Sequence, residues 1–81
     1  MIVKGTATAL SGTTQFTDAT AVWVFNTSTA GAVTVRNTAD DADVGTIYVG
    51  GSNGIVIHLD IGQGIRGAGT MYGTHIANVG A

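Results

Sequence analysis

The sequence predicts an all-β fold, a small antiparallel β-sandwich or barrel of six to seven short strands. Three observations carry that expectation. Apolar and polar residues alternate with a period near two in one segment after another. Residues of high β propensity dominate, while strong helix formers are scarce: no Glu, one Lys, two Leu and two Gln. The 13 glycines run from end to end, interrupting any long helix and leaving turn chemistry every 8–12 residues or so.

The elements follow in order. Residues 2–10 read as a strand, as do residues 70–77 near the other end. In residues 21–27, Val22, Val24 and Asn26 share one face and Ala21, Trp23, Phe25 and Thr27 the other. Trp23 and Phe25 are expected in the core, because so small a domain needs its few large side chains there. Ser28-Thr29-Ala30-Gly31 then predicts a short hairpin, with Gly31 at positive φ. In residues 32–37, Val33 and Val35 oppose Thr34 and Arg36, the half-buried alternation of an antiparallel strand. Asp40-Asp41-Ala42-Asp43 is a polar loop. Residues 45–49 set Ile47 and Val49 against Thr46 and Tyr48. Gly50-Gly51-Ser52-Asn53-Gly54 leads into the next strand, with Asn53-Gly54 a tight-turn dipeptide. Residues 55–60 set Ile55, Ile57 and Leu59 against Val56, His58 and Asp60.

At 81 residues the chain reads as one β domain, residues 1–81. A domain this size buries only roughly 60% of its unfolded surface, and its usual reinforcements are disulfides, a metal or oligomerisation. Cysteine is absent, which directs attention to association. Charged residues are 10% of the chain against about 25% ordinarily. A surface of Thr, Ala and Gly is easily desolvated, since covering it strands few charges. The net charge is −2, and Lys4, Arg36 and Arg66 are the only Lys or Arg, a poor match to phosphate neutralisation, so no nucleic-acid partner is expected. No run approaches the ~20 apolar residues of a membrane helix, and no membrane partner is expected. Met1-Ile2-Val3-Lys4-Gly5 lacks the apolar region of a signal peptide, which predicts synthesis in the producer's cytoplasm.

Chemical motifs are few. Gly62-Gln63-Gly64-Ile65-Arg66-Gly67 matches G-x-G-x-x-G, but dinucleotide binding requires a helix next and an acid ~20 residues on. Only 14 residues follow, with no acid, so the expectation is a glycine-rich bend or bulged connection, and no cofactor. Asp40, Asp41 and Asp43 are weak candidates for a metal, short of an EF-hand because the chain has no Glu to close one. His58 and His75 lack paired ligand spacing, and nothing in the sequence brings Ser11 or Ser52 to a histidine, so no catalytic residue and no enzyme is expected. Asn26-Thr27-Ser28 fits the glycosylation pattern and is read as a strand end entering a turn. Tyr48, Tyr72, His58 and His75 are the interface candidates, tyrosine being enriched at protein contacts. Exposed aromatics also suit a lectin-like module, in which Trp23, Tyr48 or Tyr72 stacks on a glycan.

The run Ala21-Val22-Trp23-Val24-Phe25-Asn26-Thr27, Ala32-Val33-Thr34-Val35-Arg36-Asn37, Thr46-Ile47-Tyr48-Val49-Gly50-Gly51 and Ile55-Val56-Ile57-His58-Leu59-Asp60 resembles a family. These are short all-β virion structural proteins of tailed bacteriophages, many from marine and cyanobacterial hosts. The match covers about residues 20–77 and departs at Asp60, where Lys is common, and at 62–69, where a polar strand-like segment is usual. The resemblance implies a capsid decoration or cement subunit, or a neck or tail component, resident in the virion and acting by β-mediated assembly. Its expected partners are copies of itself, with a symmetric trimer or another small ring favoured, and other virion proteins. It implies no catalytic residue.

Overall fold

The computed structural model describes residues 2–77. Its elements are β1 (Ile2–Val3), β2 (Thr8–Ala9), β3 (Ala21–Asn26), β4 (Gly31–Asn37), β5 (Ala42–Val49), β6 (Gly54–His58), β7 (Gln63–Arg66) and β8 (Met71–Ala77). All pairings are antiparallel, and the strands form two sheets, a β-sandwich without helix among the described residues. One sheet runs β1-β8-β3-β6, with β2 pairing β8 farther along the same strand; the other runs β5-β4-β7. The radius of gyration, 11.6 Å, is that of a well-packed chain of this length, about 11.7 Å. The 17 Å short axis fits two sheets stacked about 10 Å apart plus their outer side chains.

Residues 2–10 break into two short pieces rather than one strand. Ile2 pairs with Ala77 and Thr8 with Gly73, with a bend at Gly5 between them. The chain then crosses as an irregular strap, residues 10–20, before entering β3. Gln15 bridges β7 on its free side, its N–H donating to the Ile65 carbonyl at 2.7 Å and its carbonyl accepting from Ile65 at 2.9 Å.

The expected hairpin at 28–31 and the tight turn at 50–54 are instead crossovers. β3 pairs with β6 and β8 while β4 pairs with β5 and β7, so residues 27–30 carry the chain from one sheet to the other. Residues 50–53 carry it back. Gly31 does not have positive φ; it begins β4. In the second crossover Ser52 takes the left-handed conformation, at φ 58°, instead of the Asn53-Gly54 pair. The true hairpin is at the acidic segment: Asn37 pairs with Ala42 and Arg36 with Asp43 around residues 38–41.

Asn26 ties both crossovers together. It is 0% exposed. Its Nδ2 donates to the carbonyls of Thr29 (2.7 Å) and Val49 (3.0 Å), and its Oδ1 accepts from the Ser28 N–H at 3.0 Å. A buried amide with three hydrogen bonds escapes the penalty of an unsatisfied polar group and fixes how β3 meets the end of β5.

The core holds Val22 and Val24 from β3, Val33 from β4, Val49 from β5, Ile57 from β6, Ile65 from β7 and Met71 from β8, with Leu10 from the strap. The face of β3 that points inward is therefore the Val22, Val24, Asn26 face. Trp23 is half-buried and Phe25 is exposed on the outside, reversing the expected orientation. With small β-branched residues on one side of β3 and aromatics on the other, thin sheets pack closely through the valines.

The stretch read as a bend, residues 62–67, contains a strand. β7 pairs with β4 through Thr34–Arg66 and Val35–Ile65 contacts, and Ile65 is fully buried. Its glycines have separate steric causes. Gly62 turns the chain at φ 82°. A Cβ on Gly64 would stand 2.6 Å from Thr14 Cγ2 and 2.8 Å from the Gln15 carbonyl, and one on Gly67 would stand 2.8 Å from Leu10 Cδ1. The apparent nucleotide fingerprint is thus the floor on which the strap lies.

Candidate functional site

The longest strand is also largely uncovered. β5 has eight residues and hydrogen-bonds to β4 on one side only, being the edge of its sheet. Six consecutive residues, Asp43 to Tyr48, are exposed. Among them Val44 is 52%, Ile47 39% and Tyr48 78% exposed. An antiparallel edge leaves alternate N–H and C=O groups pointing away from the sheet. Natural edges are usually blunted by Lys, Pro or a bulge. β5 carries neither Lys nor Pro, and its one bulge lies at Val44, between the Gly45–Val35 and Asp43–Arg36 pairs. The regular part, residues 45–49, is unguarded.

Side-chain direction along that run follows from register. Ile47 lies opposite Val33 and Val49 opposite Gly31, on the core side, where Val33 and Val49 are buried and Ile47 sits at the rim. Thr46 and Tyr48 pair with Thr34 and Ala32 on the outer side.

A second exposed surface lies on the outside of the other sheet. Phe25 on β3 is directly opposite Tyr72 on β8, and Trp23 is opposite Val56 on β6. Phe25, Tyr72 and Val56 are each exposed. The Trp23 indole lies across Gly54, where any side chain would collide with it. Tyr48 and Tyr72, the two tyrosines expected at an interface, therefore face opposite sides of the sandwich.

Charge is gathered elsewhere. Asp40, Asp41 and Asp43 belong to the β4–β5 hairpin, Asp60 to the β6–β7 turn and Asp18 to the loop before β3. The Ala21–His58 and Asn37–Gln63 pairs place all of these at one end of the sandwich. Residues 27–30, 50–53 and 68–70 at the other end carry no charge.

The acidic hairpin is a self-contained ion cluster. Arg36, whose side chain is 13% exposed, approaches Asp41 at 3.0 Å through Nη1 and Asp43 at 2.8 Å through Nε, while Nη2 donates to the Asp41 carbonyl. Arg66 reaches Asp43 at 3.4 Å. Two of the three weak metal candidates thus have their oxygens directed at arginines, and no group of three His, Cys, Asp or Glu side chains converges among the described residues.

The two histidines lie on different strands. His58 is exposed at the end of β6, opposite Ala21. His75 is half-buried on β8 opposite Val22, and its carbonyl accepts from the Lys4 N–H at 2.8 Å. Ser11 Oγ meets Thr13 Oγ1 and Gln15 Oε1, which supply no base. An open groove of about 500 Å³ at the acidic end runs past Thr17, Asp18, Thr38 and Ile61. Asp18 is the one ionisable side chain lining it.

Comparison of the chain with protein-family models, curated proteins and solved structures finds no match. The open β5 edge was not legible as such in the sequence, because which strand ends a sheet depends on the crossovers. Its visible trace was the missing Lys and Pro.

Proposed function

We propose that this chain is a non-catalytic structural subunit that acts by associating with copies of itself and with a larger assembly. The observation that carries the reading is the long, unguarded, apolar edge of β5. A free monomer with such an edge is exposed to indiscriminate pairing, whereas a subunit covers it. The gathering of carboxylates at one end supports the same reading, since it leaves the strand edges and outer faces cheap to desolvate. The setting is the virion of a tailed bacteriophage, as a capsid decoration or cement subunit or a neck or tail component. That assignment is motivated by the resemblance of residues 20–77.

The test is direct. Light scattering at micromolar concentrations should return a multiple of the 8.1 kDa monomer mass, and mass spectrometry should find the chain in purified particles. A monomer throughout that range, together with absence from particles, overturns the reading. A trimer or small ring needs β5 of one copy to meet a different surface of the next, and the β6 edge is available for that.

One observation favours a second reading, a glycan-binding or adhesive module. Trp23, Phe25 and Tyr72 form an uncharged aromatic row on the outside of the five-stranded sheet, and sugar faces stack on such rows. Glycan-array binding that disappears in Tyr72→Ala with an unchanged circular dichroism spectrum would establish it; an empty array dismisses it.

A further inference from the structure

We infer that the β5 edge pairs with the β5 edge of a second copy, antiparallel, about a two-fold axis at Ile47, joining two three-stranded sheets into one six-stranded sheet. The inference rests on the assembly reading above and names its first partner.

The regular run of β5 lies between the bulge at Val44 and the crossover that starts at Gly50. Its midpoint is Ile47. A two-fold there sets Ile47 against its own copy, Thr46 against Tyr48, and Gly45 against Val49. Directly opposed residues in an antiparallel pair share a face. The two Ile47 side chains would then meet on the core side, next to each copy's Val33, so the rim of one core continues into the other. Ile47 is 39% exposed, which is the surface this contact removes from water. On the outer side the phenol of Tyr48 would lie over Thr46, an aromatic–β-branched pair of the kind that stabilises sheets. A Cβ on Gly45 would meet nothing within 4 Å, so that position offers no obstruction.

Charge selects the direction. Asp43 is the only ionisable group with formal charge on β5. The antiparallel two-fold places the two Asp43 residues eight strand positions apart, about 26 Å, well beyond the ~8 Å screening length at physiological salt. Parallel pairing would set them about 5 Å apart. Each Asp43 also keeps its own Arg36 and Arg66, so pairing strands no charge.

Size sets the strength. The side of the sandwich that carries β5 is bounded by the 30 Å and 17 Å extents, so the contact covers at most about 500 Å² per copy, at or below the lower bound of specific interfaces. A micromolar dimer is the expectation. Isologous contact also closes on itself, whereas β5-to-β6 contact continues until a ring completes.

The chain has no cysteine, so single substitutions report cleanly. Opposed Cα atoms in an antiparallel pair lie about 4.5–5.5 Å apart, within disulfide range. Under mild oxidation Ile47→Cys should form a covalent dimer, while Tyr72→Cys, on the far face, should not. Thr46→Lys points away from the core and should weaken wild-type dimerisation at least tenfold with an unchanged circular dichroism spectrum. A wild-type mass of three or more subunits without Ile47 cross-linking overturns the two-fold and leaves the assembly reading standing. Equal cross-linking of both cysteine variants also overturns it. A monomer at every concentration, with the chain absent from purified particles, overturns both.

Discussion

The residue on which the two sheets depend most is Asn26. It sits at the end of β3 on a face otherwise made of valines, and its amide serves one carbonyl in the first crossover and one at the end of β5, where the second begins. Replacing it by Ala would leave the Val49 and Thr29 carbonyls and the Ser28 N–H without their partner. A buried group stripped of its hydrogen bond costs about 1–3 kcal/mol, so Asn26→Ala should lower stability by about 2–4 kcal/mol in urea denaturation. Asn26→Asp should be no milder, because a carboxylate oxygen would then face two carbonyls. If Asn26→Ala shifts the urea midpoint no more than a surface substitution such as Ser28→Ala, the hub role is wrong. The same burial speaks to the Asn26-Thr27-Ser28 pattern: in the folded chain the amide that glycosylation would use is enclosed and engaged. At this scale the sequence is partly misleading. Trp23 and Phe25 look like core by size, whereas alternation correctly places Asn26 with Val22 and Val24 at a strand end but without its buried role. Alternation identifies two faces of β3 but not which one faces inward, since Val22 and Val24 are as apolar as the aromatics opposite.

Among the elements, the strap of residues 10–20 and strand β7 explain each other. Leu10 enters the core, Gln15 pairs with Ile65, and Gly64 and Gly67 are bare where the strap crosses. Gly64→Ala forces a Cβ against a backbone carbonyl, which cannot rotate away as a flexible side chain can. Overpacking of this kind typically costs about 1–3 kcal/mol. Gly12→Ala, with nothing within 4 Å of the added carbon, should be near neutral. Hydrogen exchange should show the Gln15 and Ile65 amides losing protection in Gly64→Ala and keeping it in Gly12→Ala; equal behaviour of the two variants would refute the floor role. Strands β3, β4, β5 and β6 were legible because each alternates over at least five residues, and residues 70–77, which contain β8, also read as a strand. β7 was not legible, since Gly64 within Gln63–Arg66 and Gly62 and Gly67 on either side leave only Ile65 to show a buried apolar side chain. The crossovers were misread for a related reason. Turn chemistry at 28–31 and 50–54 says that the chain reverses, and a reversal into the opposite sheet uses the same residues as a hairpin. Neither candidate surface could be located without that distinction, though the lack of edge-guarding residues and the exposure of Tyr48 and Tyr72 could be anticipated.

For the whole molecule, size and association are linked. A domain of 81 residues holds about 4–12 kcal/mol of stability, and this one draws it from a core of small aliphatic side chains with its largest aromatic residues only partly covered. Anything that binds the native state alone adds to that stability by mass action. A second copy paired through β5 is such a ligand, so the thermal midpoint should depend on protein concentration. Well above the dissociation constant, each tenfold rise in concentration contributes about 1.4 kcal/mol per dimer, or about 0.7 per chain. With about 4–8 °C per kcal/mol for a domain of this size, the midpoint should climb about 3–6 °C per tenfold. Thr46→Lys should flatten that dependence while matching the wild type at high dilution, where both are monomers. A wild-type midpoint that does not move between micromolar and millimolar protein would mean that the native chain finds no partner in itself. The exposed edge would then have to be covered by a different protein, and the same scan repeated with purified virion components would identify which one raises the midpoint.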